Sequence, residues 1–287
     1  MTRSIKVAAA QTGPVLADDM ASMVPAACRM IEAAAAKGVQ ILTFSELFLS
    51  PFFPNRLTED FDRFFTAEDG EEMMTIRDAA KAAGMAMILP FGERANTGLY
   101  NSALVCDSNG EVVGRYRKTH IPAYFPNDKP GGTGSYEKLY FTPGGDLPVF
   151  NVAGVTFGIQ ICNDRLYPEP SRVLALKGAE MIFMPICYSV YSDPKHRNSL
   201  WELPLRMRAF ENGVYVIAAN RVGPEGERQH LGRSMIVDPR GGVLAEAGNA
   251  EEELLVAEID LDDVSRCRKK FPWWRDRRPD LYGALTQ

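Results

Sequence analysis

Short apolar runs alternate along the chain with longer stretches in which apolar positions return every third or fourth residue. That alternation predicts strands followed by amphipathic helices. The first half reads IKVAAAQ (5–11) then a helix over 21–36, VQILTFSE (39–46) then a helix over 71–83, and MAMILPFGE (85–93) followed by a strand pair. After Gly154 the order resumes with VTFGIQIC (155–162), a helix over 168–178, EMIFMP (180–185), a helix over 201–212 and VYVIAAN (214–220). Strand and helix in alternation predict an α/β fold. Two segments echo one another: ALVCDSNGEVVGRYRK (103–118) and SMIVDPRGGVLAEAG (234–248) each place a Gly-containing turn between apolar strands, as hairpins do. Two related halves packed as one domain account for the echo. Nothing reads as a flexible linker, and the Gly/Pro-rich segment 126–135 reads as a loop near function.

Composition narrows the classes of function. With 287 residues, 46% of them hydrophobic, the chain can bury a large core. A formal net charge of -5 gives no general attraction for nucleic acid or an anionic membrane, so small molecules or proteins are the expected partners. No apolar run approaches the roughly 20 residues needed to span a bilayer. The opening MTRSIKVAAAQTG is too short in apolar residues for a secretory signal, which points to a cytoplasmic protein. Cys28, Cys106, Cys162, Cys187 and Cys267 are scattered without CxxC spacing, so they read as free thiols. His120, His196 and His230 lie far apart, and no metal site is expected. The tail RCRKKFPWWRDRRPDLYG mixes basic and aromatic residues, a pattern that also occurs in nucleic-acid binders. The acidic total and the adjoining AEEELL weigh against that, and the tail reads as a solvated or subunit-contacting extension from about residue 265. Phe271, Trp273 and Trp274 make it too apolar to be wholly exposed.

Three reactive residues end apolar runs: Glu46 after ILTFS, Lys118 after VVGRYR and Cys162 after FGIQI. Strand ends are where α/β sheets place ligands. A cysteine nucleophile needs a base for its proton and a donor for the oxyanion, and a carboxylate with an ammonium supplies both. An ammonium nearby also lowers a thiol pKa from its usual value of about 8.5, favouring thiolate. Taken singly, each residue has an ordinary structural reading as well: an inert small hydrophobe, a solvated lysine and a capping glutamate.

The segments TFSELFLSPFFP, GRYRKTHIP, EKLYFTPGG and GIQICNDRLYPEPSR resemble, in order and spacing, the four motif blocks of the nitrilase superfamily of carbon–nitrogen hydrolases. The resemblance runs from KVAAAQTGP to RRPDLYG, and within the superfamily it is nearest to N-carbamoyl-D-amino acid amidohydrolases. It implies a four-layer α-β-β-α sandwich of two pseudo-symmetric halves, a single domain over 1–287, a homodimer or homotetramer, and chemistry without cofactor or metal. It also implies that Glu46 is the general base, Lys118 the oxyanion cation, Cys162 the nucleophile, and Glu137 a second glutamate orienting Lys118 and the substrate amino group. The backbone N–H of Asn163 joins Lys118 at the oxyanion. The reaction expected is hydrolysis of an N-carbamoyl amino acid or amine to the free amine, carbon dioxide and ammonia, the alternative being a small amide or nitrile.

Some positions depart from the pattern. Where the family has an arginine pair gripping the substrate carboxylate, Arg165 is followed by Leu166, leaving one guanidinium fork. Arg165 can instead pair structurally with Asp164 or Glu169. Cys187 and Tyr188 stand for the family's asparagine and threonine, and Ser135 and Trp201 for its histidines. Phe53, Tyr188, Tyr191 and Trp201 suggest an aromatic pocket, or ordinary core, the latter above all for Trp201. His120 fits a structural role. A Cys–His hydrolase using His120, His196 or His230, and a non-catalytic scaffold, are the competing classes.

Overall fold

A computed structural model describes residues 3–122, 135–190, 194–273 and 275–286, without the side chains of 194–198. Of the 126–135 loop only Ser135 is among them, and Tyr191, Trp274 and the His196 side chain lie outside the described residues.

The first half runs β1 (Ser4–Gln11), α1 (Val24–Ala36), β2 (Ile41–Thr43), α2 (Glu71–Ala82), β3 (Ala86–Ala95), β4 (Gly98–Cys106) and β5 (Val112–Arg117). A short helical turn, α3 (Glu137–Tyr140), leads to β6 (Val149–Val152), β7 (Val155–Ile159), α4 (Pro168–Leu176), β8 (Met181–Pro185), β9 (Ser189–Val190) and α5 (Pro194–Asn212). Then follow β10 (Tyr215–Ala219), β11 (Val222–Glu225), β12 (Arg228–Leu231), β13 (Met235–Val237), β14 (Val243–Glu246), β15 (Glu253–Asp260) and α6 (Asp262–Lys270).

Two six-stranded sheets carry the fold, with orders β15-β1-β2-β3-β4-β5 and β14-β13-β10-β8-β7-β6. Each has a parallel trio at its centre, β1-β2-β3 or β7-β8-β10. Each is flanked by an antiparallel hairpin on one side, β4-β5 or β13-β14, and a single antiparallel strand on the other. The echoed segments are those two hairpins, so the internal symmetry read from the sequence is real.

Side-chain alternation sorts the layers. Val7, Ile41 and Ile88 of one sheet meet Phe157, Phe183 and Ile217 of the other in a shared core. On the outer face of the first sheet Ala8, Leu42 and Met87 pack on Ile31 of α1 and Met73 and Ile76 of α2. On the outer face of the second, Ile182 and Met184 pack on Leu174 of α4 and Trp201 and Leu205 of α5. The result is the α-β-β-α sandwich. Sheets covered on both faces have strands that read as continuous apolar runs, which is why the central strands were legible. Gly158 lets α4 close on β7, since a Cβ there would come within 2.7 Å of the Leu174 side chain.

Some boundaries moved. β2 spans three residues because the chain leaves its ladder after Thr43, and the Glu46 N–H then reaches Ile186 O beside the second sheet at 3.4 Å. α5 begins at Pro194 rather than at 201; proline at a first helical position costs no hydrogen bond and pre-sets the backbone. β15, which begins inside the stretch read as an acidic flank, pairs with β1 over its whole length, from Ser4↔Asp260 to Gln11↔Glu253. No helix among the described residues is long and apolar enough to cross a membrane. All five cysteines are free.

Candidate active site

The chain segments leaving β2, β5 and β7 bring Glu46, Lys118 and Cys162 together at one end of the sandwich. Lys118 Nζ donates to Glu46 Oε1 at 2.9 Å and to Glu137 Oε2 at 2.6 Å, and all three side chains are buried. Lys118 is fixed because its N–H bonds Asn101 O at 2.8 Å, prolonging the β4–β5 ladder. The Asn101 side chain turns to the same centre and donates to Glu46 Oε1 at 2.7 Å. Glu46 Oε2 is buried and has no hydrogen-bond partner. One carboxylate oxygen is therefore held by two donors while the other is free to take a proton.

Cys162 is partly exposed in front of these buried groups and has φ +46°, a left-handed backbone that a residue with a Cβ adopts at a cost. Asp164 holds it there. Its Oδ2 accepts Ile161 N–H at 2.8 Å and Tyr116 Oη at 2.7 Å, and its Oδ1 accepts His120 N–H at 2.9 Å. His120 Nδ1 lies 2.9 Å and Thr119 Oγ1 3.3 Å from the same oxygen. This buried carboxylate ties the segment bearing Lys118 to the segment bearing Cys162.

Electrostatics follow from burial. Burial disfavours the Lys118 ammonium, but the charges of Glu137 and Glu46 outweigh it and hold the pKa well above the lysine range. Burial raises the Glu137 carboxyl, against the pull of Lys118. The Cys162 thiol is pushed up to about 11, first by burial and then by the Glu46 charge, against Lys118 and Arg165. Lys118 does pull the thiol down, as expected, but desolvation and the glutamate outweigh the ammonium. At neutral pH the thiol keeps its proton, and attack by sulfur requires a base.

The remaining sequence candidates fall into place around this centre. Arg165, buried, donates from Nη1 to Cys162 O at 2.7 Å and lies 3.7 Å from Sγ. Its guanidinium sits 4.9 Å from the Tyr188 ring centre, and its Nε has no partner. It pairs with neither Asp164, whose oxygens are occupied, nor Glu169; among the described residues it has no carboxylate partner. The Asn163 side chain donates to His120 O at 2.9 Å. Phe53 is 1% exposed and packs with Phe64, Phe65, Tyr140 and Phe141. Trp201 is core: wholly buried, it donates to Arg233 O and stacks on Tyr188. Ser135 is buried with its hydroxyl unpartnered. His120 is held by Asp164 and stacks on Tyr167 at 4.3 Å, and His230 is enclosed beside Cys187 and Glu225. Among the described residues no histidine bonds Cys162 Sγ, and no cluster of potential ligands could hold a metal. Sequence reasoning missed Asn101 and Arg221. Arg221 carried the same signal as Lys118, a cation just after an apolar strand, whereas Asn101 gave none beyond a polar residue inside a strand.

The carbon–nitrogen hydrolase family model matches residues 6–269. The chain belongs to that family. This carbon–nitrogen hydrolase is 36% identical over 284 residues to the N-carbamoylputrescine amidase of Arabidopsis thaliana, covering 93% of this chain and 91% of the relative. It is 34% identical over 260 residues to the omega-amidase NIT2-A of Xenopus laevis, covering 90% of each. Among solved structures, a carbon–nitrogen hydrolase from Helicobacter pylori G27 matches with a TM-score of 0.88 and 31% identity over 99% of both chains. As a member of this family the protein is an amidohydrolase, and its sandwich is the nitrilase-type fold.

Proposed function

We propose that the enzyme hydrolyses a ureido C–N bond, turning an N-carbamoyl compound into the free amine, carbon dioxide and ammonia. Glu46 Oε2 takes the Cys162 proton as sulfur attacks the ureido carbonyl. The oxyanion is received by Lys118 and the Asn163 N–H, and Glu137 keeps Lys118 oriented. Collapse expels ammonia, which leaves with the proton from Glu46, and an S-carbamoyl cysteine whose nitrogen still bears the rest of the substrate remains. Water, deprotonated by the same carboxylate, attacks this thioester-like carbonyl and restores the thiol. The carbamic acid released falls apart to amine and carbon dioxide. The steps call on no metal or organic cofactor. The observation that carries the reading is the Lys118 ammonium shared by two buried glutamates, one with a free oxygen, beside a partly exposed cysteine that is still a thiol.

The likeness to N-carbamoylputrescine amidases supports a ureido substrate. Arg165 favours one that bears a carboxylate, because a buried guanidinium without a counter-charge attracts an anion and repels a second ammonium. Simple amide hydrolysis is the second reading, supported by the likeness to an omega-amidase. A panel of N-carbamoyl amino acids of both hands, N-carbamoylputrescine and plain amides separates them, read as ammonia and carbon dioxide. Ureido acids should release both gases. Arg165→Met should lower kcat/KM about 10–100-fold for ureido acids, the value of a charged hydrogen bond, and much less for N-carbamoylputrescine. Equal losses on both substrates would refute the carboxylate, and ammonia without carbon dioxide on every active substrate would refute the ureido bond.

A further inference from the structure

Arg221 stands just after β10 and is wholly buried. Its Nη2 faces three backbone carbonyls, Leu47 O at 2.8 Å, Ser50 O at 3.0 Å and Glu46 O at 3.3 Å. Its Nη1 donates to Glu225 Oε2 at 2.6 Å. Glu225 in turn accepts Phe52 N–H on Oε1 at 2.6 Å and Val15 N–H on Oε2 at 2.9 Å. One internal ion pair therefore serves both the carbonyls and an N–H of the 46–52 turn. Burial alone disfavours the Glu225 carboxylate, but the Arg221 charge, with His230 and the Phe52 N–H, outweighs it and holds the group far below the usual carboxylate range.

The Glu46 end of the turn is also held by its own N–H to Ile186 O at 3.4 Å and by Lys118 and Asn101 on its side chain. Leu47, next to Glu46, has φ +52°, a left-handed backbone for a residue with a Cβ. Within the turn, Ser50 N–H bonds Leu47 O at 2.9 Å. The backbone of Arg221 belongs to the other half of the molecule. It bridges to Thr12 beyond β1, and Val222 N–H bonds Thr12 O at 2.9 Å, where the two sheets adjoin. β10 continues through β8 to β7, the strand that leads to Cys162. The arginine thus grips the glutamate's own backbone from the sheet that carries the sulfur.

We infer that Arg221, anchored by Glu225, is a positioning residue that sets the register of Glu46 against Cys162 across the two halves. The inference rests on the reading of Glu46 as base. Apolar filling of the same space would take the side-chain donor from all three carbonyls and leave Leu47 O only the Ser50 N–H, and Lys at 221 brings one point charge where a fork is needed.

The test follows alkylation of Cys162 by chloroacetamide, by mass spectrometry from pH 6 to 9, alongside ammonia release, in the full-length enzyme. Glu46→Gln should slow alkylation. Arg221→Lys should slow both alkylation and turnover by about 10²-fold, the effect of misplacing a reacting group by about 1 Å. In a Glu46→Gln background, Arg221→Lys should change alkylation less than about threefold, because the group it positions has lost its function. The same factor in both backgrounds would mean general loosening and would overturn the inference, as would wild-type rates in Arg221→Lys. An unchanged rate in Glu46→Gln overturns the catalytic reading itself. If Arg221→Lys does not fold, Glu225→Gln, which keeps the guanidinium but removes its anchor charge, carries the same comparison with a loss of about tenfold expected.

Discussion

Replacing Lys118 with methionine removes the cation between two buried carboxylates while keeping most of the side-chain volume. In the native protein the ammonium lies 2.9 Å from Glu46 and 2.6 Å from Glu137, with every partner out of water. Taking one partner from a buried ion pair costs about 3–5 kcal/mol, since the charge left behind is neither solvated nor paired. For a chain of this length that corresponds to a fall in Tm of about 5–8 °C. The loss depends on pH, and the sign follows from Glu137. Burial already raises its carboxyl, and without Lys118 it rises further and binds a proton that the unfolded chain does not hold. A raised folded-state pKa gives stability that is complete below the unfolded value and is lost as pH rises through the folded one. The deficit of Lys118→Met relative to wild type should therefore be smallest near pH 5 and grow toward pH 9. Activity should fall at least about 10²–10³-fold, the cost of one oxyanion donor. Thermal melts of both proteins at matched pH, with ammonia release on the best ureido substrate, make the comparison. A Tm difference that stays constant from pH 5 to 9, or activity within tenfold of wild type, would refute the reasoning.

Other consequences concern the supports of the site. Burial holds His230 neutral, with its pKa lowered from 6.5 to about 4, so folding stability should drop by about 3 kcal/mol as pH falls through that window. Urea unfolding of His230→Gln should show a flatter profile there, and an unchanged slope would count against a buried neutral imidazole. Asp164→Asn keeps the shape but turns an amide N–H toward donors from Ile161, Tyr116, Thr119 and His120. Urea unfolding should report a loss of about 3 kcal/mol, as expected for hydrogen bonds to a buried charge; a change below about 1 kcal/mol would mean the network is not what ties the two segments.

Much of this was legible in the sequence for one physical reason. Strands covered on both faces are runs of Val, Ile, Leu and Phe, so a Glu, Lys or Cys at the end of such a run stands out. That signal marked Glu46 and Cys162, Lys118 stood at the end of the half-buried edge strand VVGRYR, and the two Gly-turn hairpins marked the pseudo-symmetry. What could not be read depends on partners far away in the chain. Whether Arg165 pairs with Asp164 is decided by Tyr116, Thr119 and His120, which occupy that carboxylate first. β12, a strand of sequence RQHL, has no apolar period to announce it. Burial outweighed the effect of Lys118 on the thiol, which a list of neighbouring charges does not foresee because it omits the loss of water.

The most direct test of the account is to quench the enzyme during turnover of a ureido substrate and locate the adduct by peptide mass spectrometry. The account predicts an N-substituted carbamoyl group on Cys162, carrying the amine portion of the substrate, formed in step with the first ammonia released and absent in Cys162→Ala, which folds but does not turn over. Steady ammonia release from Cys162→Ala, or an adduct on another residue with Cys162 unmodified, would contradict it.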